Sequence, residues 1–399
     1  MSKRFYITTA IDYTNGAPHL GHAYEKVITD VIARARRSLG QEAFFLTGID
    51  EHGQKVQQAA QAEGKSPQVY CDELAVIWKA LAAKLDLSID DFIRTTDARH
   101  KQVVSAILTK LKNQGDLYKE PYKGFYSVRE ETFLTEKDRN PDGTWAAKWG
   151  EVVELIEENW YFKMGQHQQW LIDYIEANPS FVQPDYRRNE VLGFLKSEKL
   201  ADLCITRPAS RLSWGIPLPF DPEYVTYVWF DALTNYITAL GFGNGDNTRM
   251  ERYWPSVTHL IGKEIVRQHA LYWPAFLMSA GLATPKREIA HGWWLMGGAK
   301  MSKSLGNVAR YQDYVKVFGV DGLRYFVMRE MPFGPGDGHI KKPALLLQVC
   351  TAAEHELGRE QVLLQTHDVD MAVFQSLGHV DGHKRNLIRI IILVFILSG

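Results

Sequence analysis

Two short segments of this chain carry side chains whose types and spacing suit phosphate chemistry. His19-Leu20-Gly21-His22 sets two imidazoles around a glycine at what reads as a helix start. Backbone N–H groups and the positive end of the helix dipole already favour an anion there. Gly21 carries no side chain, so a flat base or a ribose can approach the main chain. Lys300-Met301-Ser302-Lys303-Ser304 places two lysines three apart on a loop punctuated by glycine from Gly297 to Gly306, free to close over a polyphosphate. Each segment has a bland explanation on its own. A histidine pair at a helix start is usually a cap or a surface feature, and a short Lys/Ser loop is usually a solvated one. Their order argues against accident: one follows the first strand and the other follows the last.

The elements that must hold these residues read as alternating strand and helix. Phe5 to Thr9 is β-branched and aromatic, a predicted buried first strand. Asn15-Gly16 signals a turn, and an amphipathic stretch runs from about Ala23 to Leu39. Ala43 to Leu46 reads as a second strand, leading into Gly48-Ile49-Asp50-Glu51-His52-Gly53. Ser66 caps a predicted helix with Pro67 at its first position, running to about Leu85. This order predicts an α/β fold with a parallel sheet. In such sheets the ligand crevice lies beyond the carboxyl ends of the strands, where both the His19–His22 and Asp50–His52 segments fall. From Tyr118 to Ser210, hairpin-like pieces, a Pro141-Asp142-Gly143 turn and dense glutamates (Glu151, Glu154, Glu157, Glu158) read as an inserted domain. The α/β pattern is expected to resume at Tyr224 to Trp229, to continue through His259 to Gly262, and to include a helix from about Glu264 to Ala280.

Composition bounds the class. At ~150 residues per domain, 399 residues predict two to three domains. Hydrophobic residues at 45% and charged residues at 23% exclude wholesale disorder. A net charge of −1 excludes a global basic field but not a local patch for nucleic acid. Three scattered cysteines, Cys71, Cys204 and Cys350, cannot build a disulfide framework and suit a reducing compartment. The N-terminus enters a strand-like run at once, and the longest apolar run, Ile390 to Leu397, is far short of the ~20 residues a membrane helix needs. A cytoplasmic protein with no membrane partner is expected.

With these motifs the chain resembles the class I aminoacyl-tRNA synthetases, whose signatures are His-Ile-Gly-His and Lys-Met-Ser-Lys-Ser; Leu20 here replaces Ile. Within that class it is most similar to the methionyl family, through Phe45–Gly53, Trp214–Pro219, Tyr227–Leu233 and Ile261–Ile265. The resemblance runs from about residue 4 to about Gly338. It implies a Rossmann-like catalytic domain in two halves, 1–117 and 211–338, split by a connective-peptide insertion, 118–210, with a short atypical segment at 339–399. It also implies activation of methionine by ATP, with Mg²⁺ accompanying the nucleotide, to methionyl-adenylate, followed by transfer to tRNA(Met). His19 and His22 would donate to the α-phosphate oxygens, Gly21 would admit the nucleotide, and Lys300 and Lys303 would take the departing pyrophosphate. Residue-by-residue matching gives a methionine slot of Ala10, Ile11, Tyr13, Trp229, Ala232, Tyr236, Ile265 and His269, with Asp50 on the α-ammonium. Ordinary core packing would equally explain Trp229, Tyr236 and Ile265 outside this context, and Asp50 would pass for a turn residue. For His52 a structural and a functional role stand level. Lys263 and Glu264 are left outside the site, because Glu264 departs from the Asp more usual in the family.

Two departures from the family follow. Its insertion often carries a zinc knuckle built from Cys-x-x-Cys-like pairs, but Ser127 and Glu130 occupy the first pair here and Arg139 to Trp149 holds no cysteine. A closed zinc site needs four N or S ligands, so no zinc is expected. Packing of Tyr126, Phe133, Trp145 and Trp149 should hold the hairpins instead. The segment after Gly338 lacks the amphipathic helices of an anticodon-binding domain. From His339 onward it balances six Lys and Arg against six Asp and Glu, poor material for gripping an anticodon stem. Either truncation or divergence of a longer enzyme fits this tail, and anticodon recognition by it is in doubt. Two alternatives remain: a class I synthetase for another apolar amino acid, and a synthetase-like tRNA-binding module without catalysis. The small insertion speaks against the first and the intact His and Lys set against the second. Oligomeric state is not legible.

Overall fold

The structure, a computed structural model, describes residues 3–129, 132–134, 136–296, 299–301, 308–330 and 337–339. Its centre is a seven-stranded sheet in which every pairing is parallel. Arg4–Thr9 lies between Glu42–Asp50 and Val257–Gly262; Arg287–His291 and then Val182–Gln183 extend one side, while Asp12–Tyr13 and Asp91–Arg94 both pair with Glu42–Asp50. Side chains alternate across such strands, and the sequence supplies apolar residues for both faces. Tyr6, Phe44, Leu46, Val257 and Ile261 join the core on one face. Ile7, Phe45, Ile49 and Leu260 join the core on the other. Gly48 is required by close approach, since a Cβ there would stand 2.1 Å from the Ile93 carbonyl oxygen.

The helix after the first strand spans Leu20–Ser38, three residues earlier than the apolar periodicity from Ala23 predicts. His19 explains the shift, because its side chain caps the helix. The second strand is longer than predicted and carries burial through to Asp50. The predicted helix after Ser66 is found at Pro67–Lys84, with the serine accepting from the Val69 N–H.

Between residues 118 and 210, Leu117–Ser127 and Val152–Phe162 pair antiparallel along their whole length, flanked by Thr132–Leu134 and Leu203–Cys204. Tyr126 is fully buried there, with the Arg211 guanidinium 4.7 Å from its ring. Trp145 packs on Phe125 at 5.1 Å under the Arg139 guanidinium, and Trp149 Nε1 donates to the Asp138 carbonyl. Cations thus cover the aromatics that were expected to pack on one another; the Phe133 side chain and Glu130 lie outside the described residues. Val182–Gln183, inside the same span, returns to the edge of the central sheet.

Two expectations need correction. Tyr224 to Trp229 does not resume the parallel sheet. Asp221–Thr226 belongs to a separate three-stranded antiparallel sheet, and Val228 already begins the helix Val228–Thr238; the central sheet resumes only at Val257. The span Glu264 to Ala280 is not one regular helix. A 3₁₀ turn, Lys263–Ile265, leads to a π-turn, Gln268–Tyr272, before α-helix Trp273–Ser279. Pro274 has no N–H to give to the carbonyl one turn back, which favours the widened turn ahead of it.

The last described long helix, Tyr311–Glu330, is kinked at Gly319, where φ is 72°. Past the kink, Arg324 donates to the Leu85 carbonyl and to Asp30, which is fully buried on the helix that His19 caps. Asp30 also takes Arg34 and both the N–H and hydroxyl of Ser88. Among the described residues no helix is long and apolar enough to cross a membrane.

Candidate active site

The bland and the chemical explanations of the His19–His22 segment turn out to coincide. His19 sits in extended backbone ahead of the helix; the Gly21 N–H donates to His19 Nδ1 at 3.1 Å, and the His19 N–H donates to His22 Nδ1 at 3.1 Å. The rings stack with centroids 3.8 Å apart. Because each Nδ1 is occupied as an acceptor, the proton of each neutral imidazole lies on Nε2. The cap therefore fixes two ring N–H donors at a helix N-terminus, which is what an incoming phosphate needs.

The main chain brings the second motif to the same place. The Leu20 N–H donates to the Ala309 carbonyl at 2.9 Å, and the Ala309 N–H meets Met301 Sδ at 3.4 Å. A Cβ on Gly21 would stand 3.0 Å from the His19 ring, pressing on it, and 3.6 Å from the Met301 methyl, in ordinary contact. Ala299–Lys300 forms a short strand against Trp294–Met296. The Lys300 side chain and all of Lys303 lie outside the described residues.

Of the residues expected to form the methionine slot, Ala10, Ile11, Trp229 and Ile265 are partly buried against the core that includes Tyr236. Ala232 is buried on the same helix as Trp229 and Tyr236. His269 Nδ1 bonds to the Ile265 carbonyl at 2.9 Å and its Nε2 lies 2.8 Å from Tyr236 Oη. Burial holds the His269 ring down at about 4, so it stays neutral, donating from Nδ1 and accepting the tyrosine hydroxyl proton at Nε2. Tyr13 packs instead with the core on the opposite face, yet it is paired in register with Asp50. Asp50 is 4% exposed at the end of its strand, and its carbonyl takes both the N–H and the hydroxyl of Thr14.

His52 is tied to partners remote in sequence. Its Nδ1 lies 2.6 Å from one oxygen of Asp231, and His100 Nε2 lies 2.6 Å from the other. Burial alone would push the Asp231 carboxyl up, but the two imidazoles outweigh it and hold the group down at about 2. Asp231 lies between Trp229 and Ala232 on one helix, so this cluster joins the Asp50–His52 strand end to the helix that carries three residues of the expected slot.

Three charged residues here escape sequence reasoning. Asp12 lies three residues past the first strand's end, in the short strand Asp12–Tyr13, and its carboxylate binds Lys26, one helical turn beyond His22. The Lys26 ammonium also sits 5.4 Å over Trp78, whose ring meets the edge of His22 at 4.8 Å. Glu25 accepts the Ala10 N–H at 3.0 Å. Burial pushes both Asp12 and Glu25 up to about 7 against the pull of Lys26. A lysine on a helix reads as exposed; the only signal was its place on the buried stripe with Ala23 and Tyr24. Among the described residues no group of three or more His, Cys, Asp or Glu is arranged to hold a metal ion.

A family model for tRNA synthetases class I (M) matches residues 5–147 and 145–345. The methionine–tRNA ligase of Rhizobium meliloti is 47% identical over 379 residues, covering 94% of this chain and 72% of that protein. That of Caldanaerobacter subterraneus subsp. tengcongensis is 45% identical, covering 90% of this chain but 55% of the relative, so against several such relatives the chain spans little more than half their length. A crystal structure of Mycobacterium tuberculosis methionyl-tRNA synthetase in complex with methionyl-adenylate superposes with a TM-score of 0.83 at 43% identity, covering 90% of this chain and 70% of that one. The sheet, the motif order and these likenesses agree, and the chain belongs to the methionine–tRNA ligase family of class I tRNA synthetases.

Proposed function

We propose that this chain joins methionine to ATP, releasing pyrophosphate to form methionyl-adenylate, and transfers the methionyl group to the 3′ end of tRNA(Met) in the cytoplasm. The observation that carries the reading is the pair of fixed Nε2–H donors at the Leu20 helix start, with Ala309 bonded to Leu20 and Met301 to Ala309. In-line attack of a carboxylate on the α-phosphorus needs positioned donors for charge spread over phosphate oxygens, and no protein nucleophile. His19 and His22 supply two, each worth roughly 2–4 kcal/mol in the transition state. Lys300 and Lys303 take the pyrophosphate, Asp50 the methionine ammonium. The thioether lies among Ala10, Ile11, Tyr13, Trp229, Ala232, Tyr236, Ile265 and His269, where sulfur–ring contacts add ~0.3–1.5 kcal/mol each.

Mg²⁺ enters with the ATP phosphates, whose charge it neutralises. The catalytic halves are 1–117 and 211–338 and the insertion is 118–210. Pyrophosphate exchange into ATP with a panel of amino acids tests the reading. Exchange dependent on methionine, and at least a hundredfold weaker with leucine, isoleucine or valine, is the expected result; exchange with another apolar amino acid, or none, would sink it.

A further inference from the structure

The proposed reaction leaves unexplained the ion pair beneath the histidines. The Asp12 and Lys26 side chains are 4% and 1% exposed, and they contact each other directly. For stability alone such a pair is a poor choice, because desolvating two charges cancels much of their attraction and apolar residues of similar size do as well. What the pair supplies, and an apolar pair would not, is a carboxylate oxygen aimed at the site. Asp12 Oδ1 lies 3.9 Å from His22 Nε2, the nitrogen that carries the ring proton. That separation is within electrostatic reach but longer than a hydrogen bond, so the ring is oriented without being captured. Lys26 cancels the negative charge that would otherwise oppose a phosphate at this helix start.

We propose that Asp12, neutralised by Lys26, is a positioning residue for His22 in the phosphate-transfer step, holding the Nε2–H edge of the imidazole ready for the α-phosphate. The inference rests on the function proposed above. Only the carboxylate form of Asp12 can orient the ring this way. Since its carboxyl is pushed up to about 7, the oriented state is gained as pH rises through that value. The groups facing Asp12 are Lys26, His22 and Glu25; Glu264 acts in turn on Glu25.

The test compares wild type, Asp12→Asn, Lys26→Met and the double variant by methionine-dependent pyrophosphate exchange from pH 6 to 9. Asp12→Asn should lower kcat at least tenfold at pH 8, leave the methionine KM within twofold, and lose the rise through pH 7. Lys26→Met leaves an uncompensated acid that stays protonated to higher pH. It should match Asp12→Asn at pH 7 and recover toward pH 9, and the double variant should not recover. In parallel, ¹⁵N-histidine NMR, with His22 assigned by His22→Asn, should show in the His22 ring a pH-dependent step beyond the ring's own titration, and that second step should be missing in Asp12→Asn. A kcat profile that Asp12→Asn leaves unchanged, or a second NMR step that survives it, as it would if Glu25 were responsible, overturns the inference. So does a loss that only tracks the folded fraction of each variant. A wild type without methionine-dependent exchange sinks the proposed function instead, and the His22 step then decides the positioning role by itself.

Discussion

Asp231→Asn exchanges one oxygen of a fully buried carboxylate for an NH₂ group while leaving its volume almost unchanged. In the wild type, His52 and His100 each reach a different oxygen at 2.6 Å. The amide can serve only one of them, and the other ring N–H then faces a second donor. A buried donor without an acceptor costs ~1–3 kcal/mol. The charge adds a second part: holding the carboxyl at about 2, below its ordinary range, is worth roughly 2–3 kcal/mol of stability. The expected loss is about 3–5 kcal/mol, the range for breaking a buried charged cluster. Because the folded-state value is depressed, the charge-dependent part is fully present above about pH 4 and fades as pH falls toward 2. Urea denaturation followed by tryptophan fluorescence should show the full gap at pH 7.5 and at pH 5, narrowing by about 1 kcal/mol near pH 3. A gap under ~0.5 kcal/mol at pH 7.5, the size of an ordinary surface change, would refute the reasoning. So would a gap that does not narrow in acid.

Gly21→Ala places a methyl 3.0 Å from the His19 ring, so adenylate formation should fall at least tenfold in pyrophosphate exchange while the thermal midpoint moves by less than ~3 °C. Asp50→Asn keeps the shape of the strand end but removes the charge proposed to meet the substrate ammonium; methionine activation should weaken by the ~2–5 kcal/mol typical of a desolvated pair, with circular dichroism unchanged, and normal activation would make Asp50 a turn residue. Lys303→Ala should depress the adenylation rate more than tenfold with methionine affinity nearly constant, and equal losses in both would reject a role confined to pyrophosphate.

The parts of the fold that were legible are those in which local pattern and burial agree. Phe5 to Thr9 reads as a buried strand because both of its faces are apolar, and both are covered. Ser66-Pro67 reads as a helix start because the cap and the proline are local chemistry. His19 and His22 were legible as a phosphate motif at a helix start; what the apolar pattern from Ala23 could not give is that the first turn already begins at Leu20, because the cap and not the apolar stripe sets it. Tyr224 to Trp229 misled because a β-branched, aromatic run does not say which sheet receives it. The Asp231 cluster was closed to sequence reasoning for a different reason: its partners lie 179 and 131 residues away, and only the packed chain brings them together. Lys26 drew no expectation, because a buried lysine needs Asp12 and nothing local announces that partner.

The anchoring of the last described helix has a mechanical consequence. Ahead of that helix, Ala309 is stitched to Leu20; behind the Gly319 kink, Arg324 is stitched to Asp30. A rod clamped at two points along another rod cannot swing about either clamp. The chain on either side of the bend at Gly319 is thus tied to the helix Leu20–Ser38, and both sides should travel with it. Amide exchange in the two helices should accordingly open together, with one common protection factor for the residues around Asp30 and Arg324.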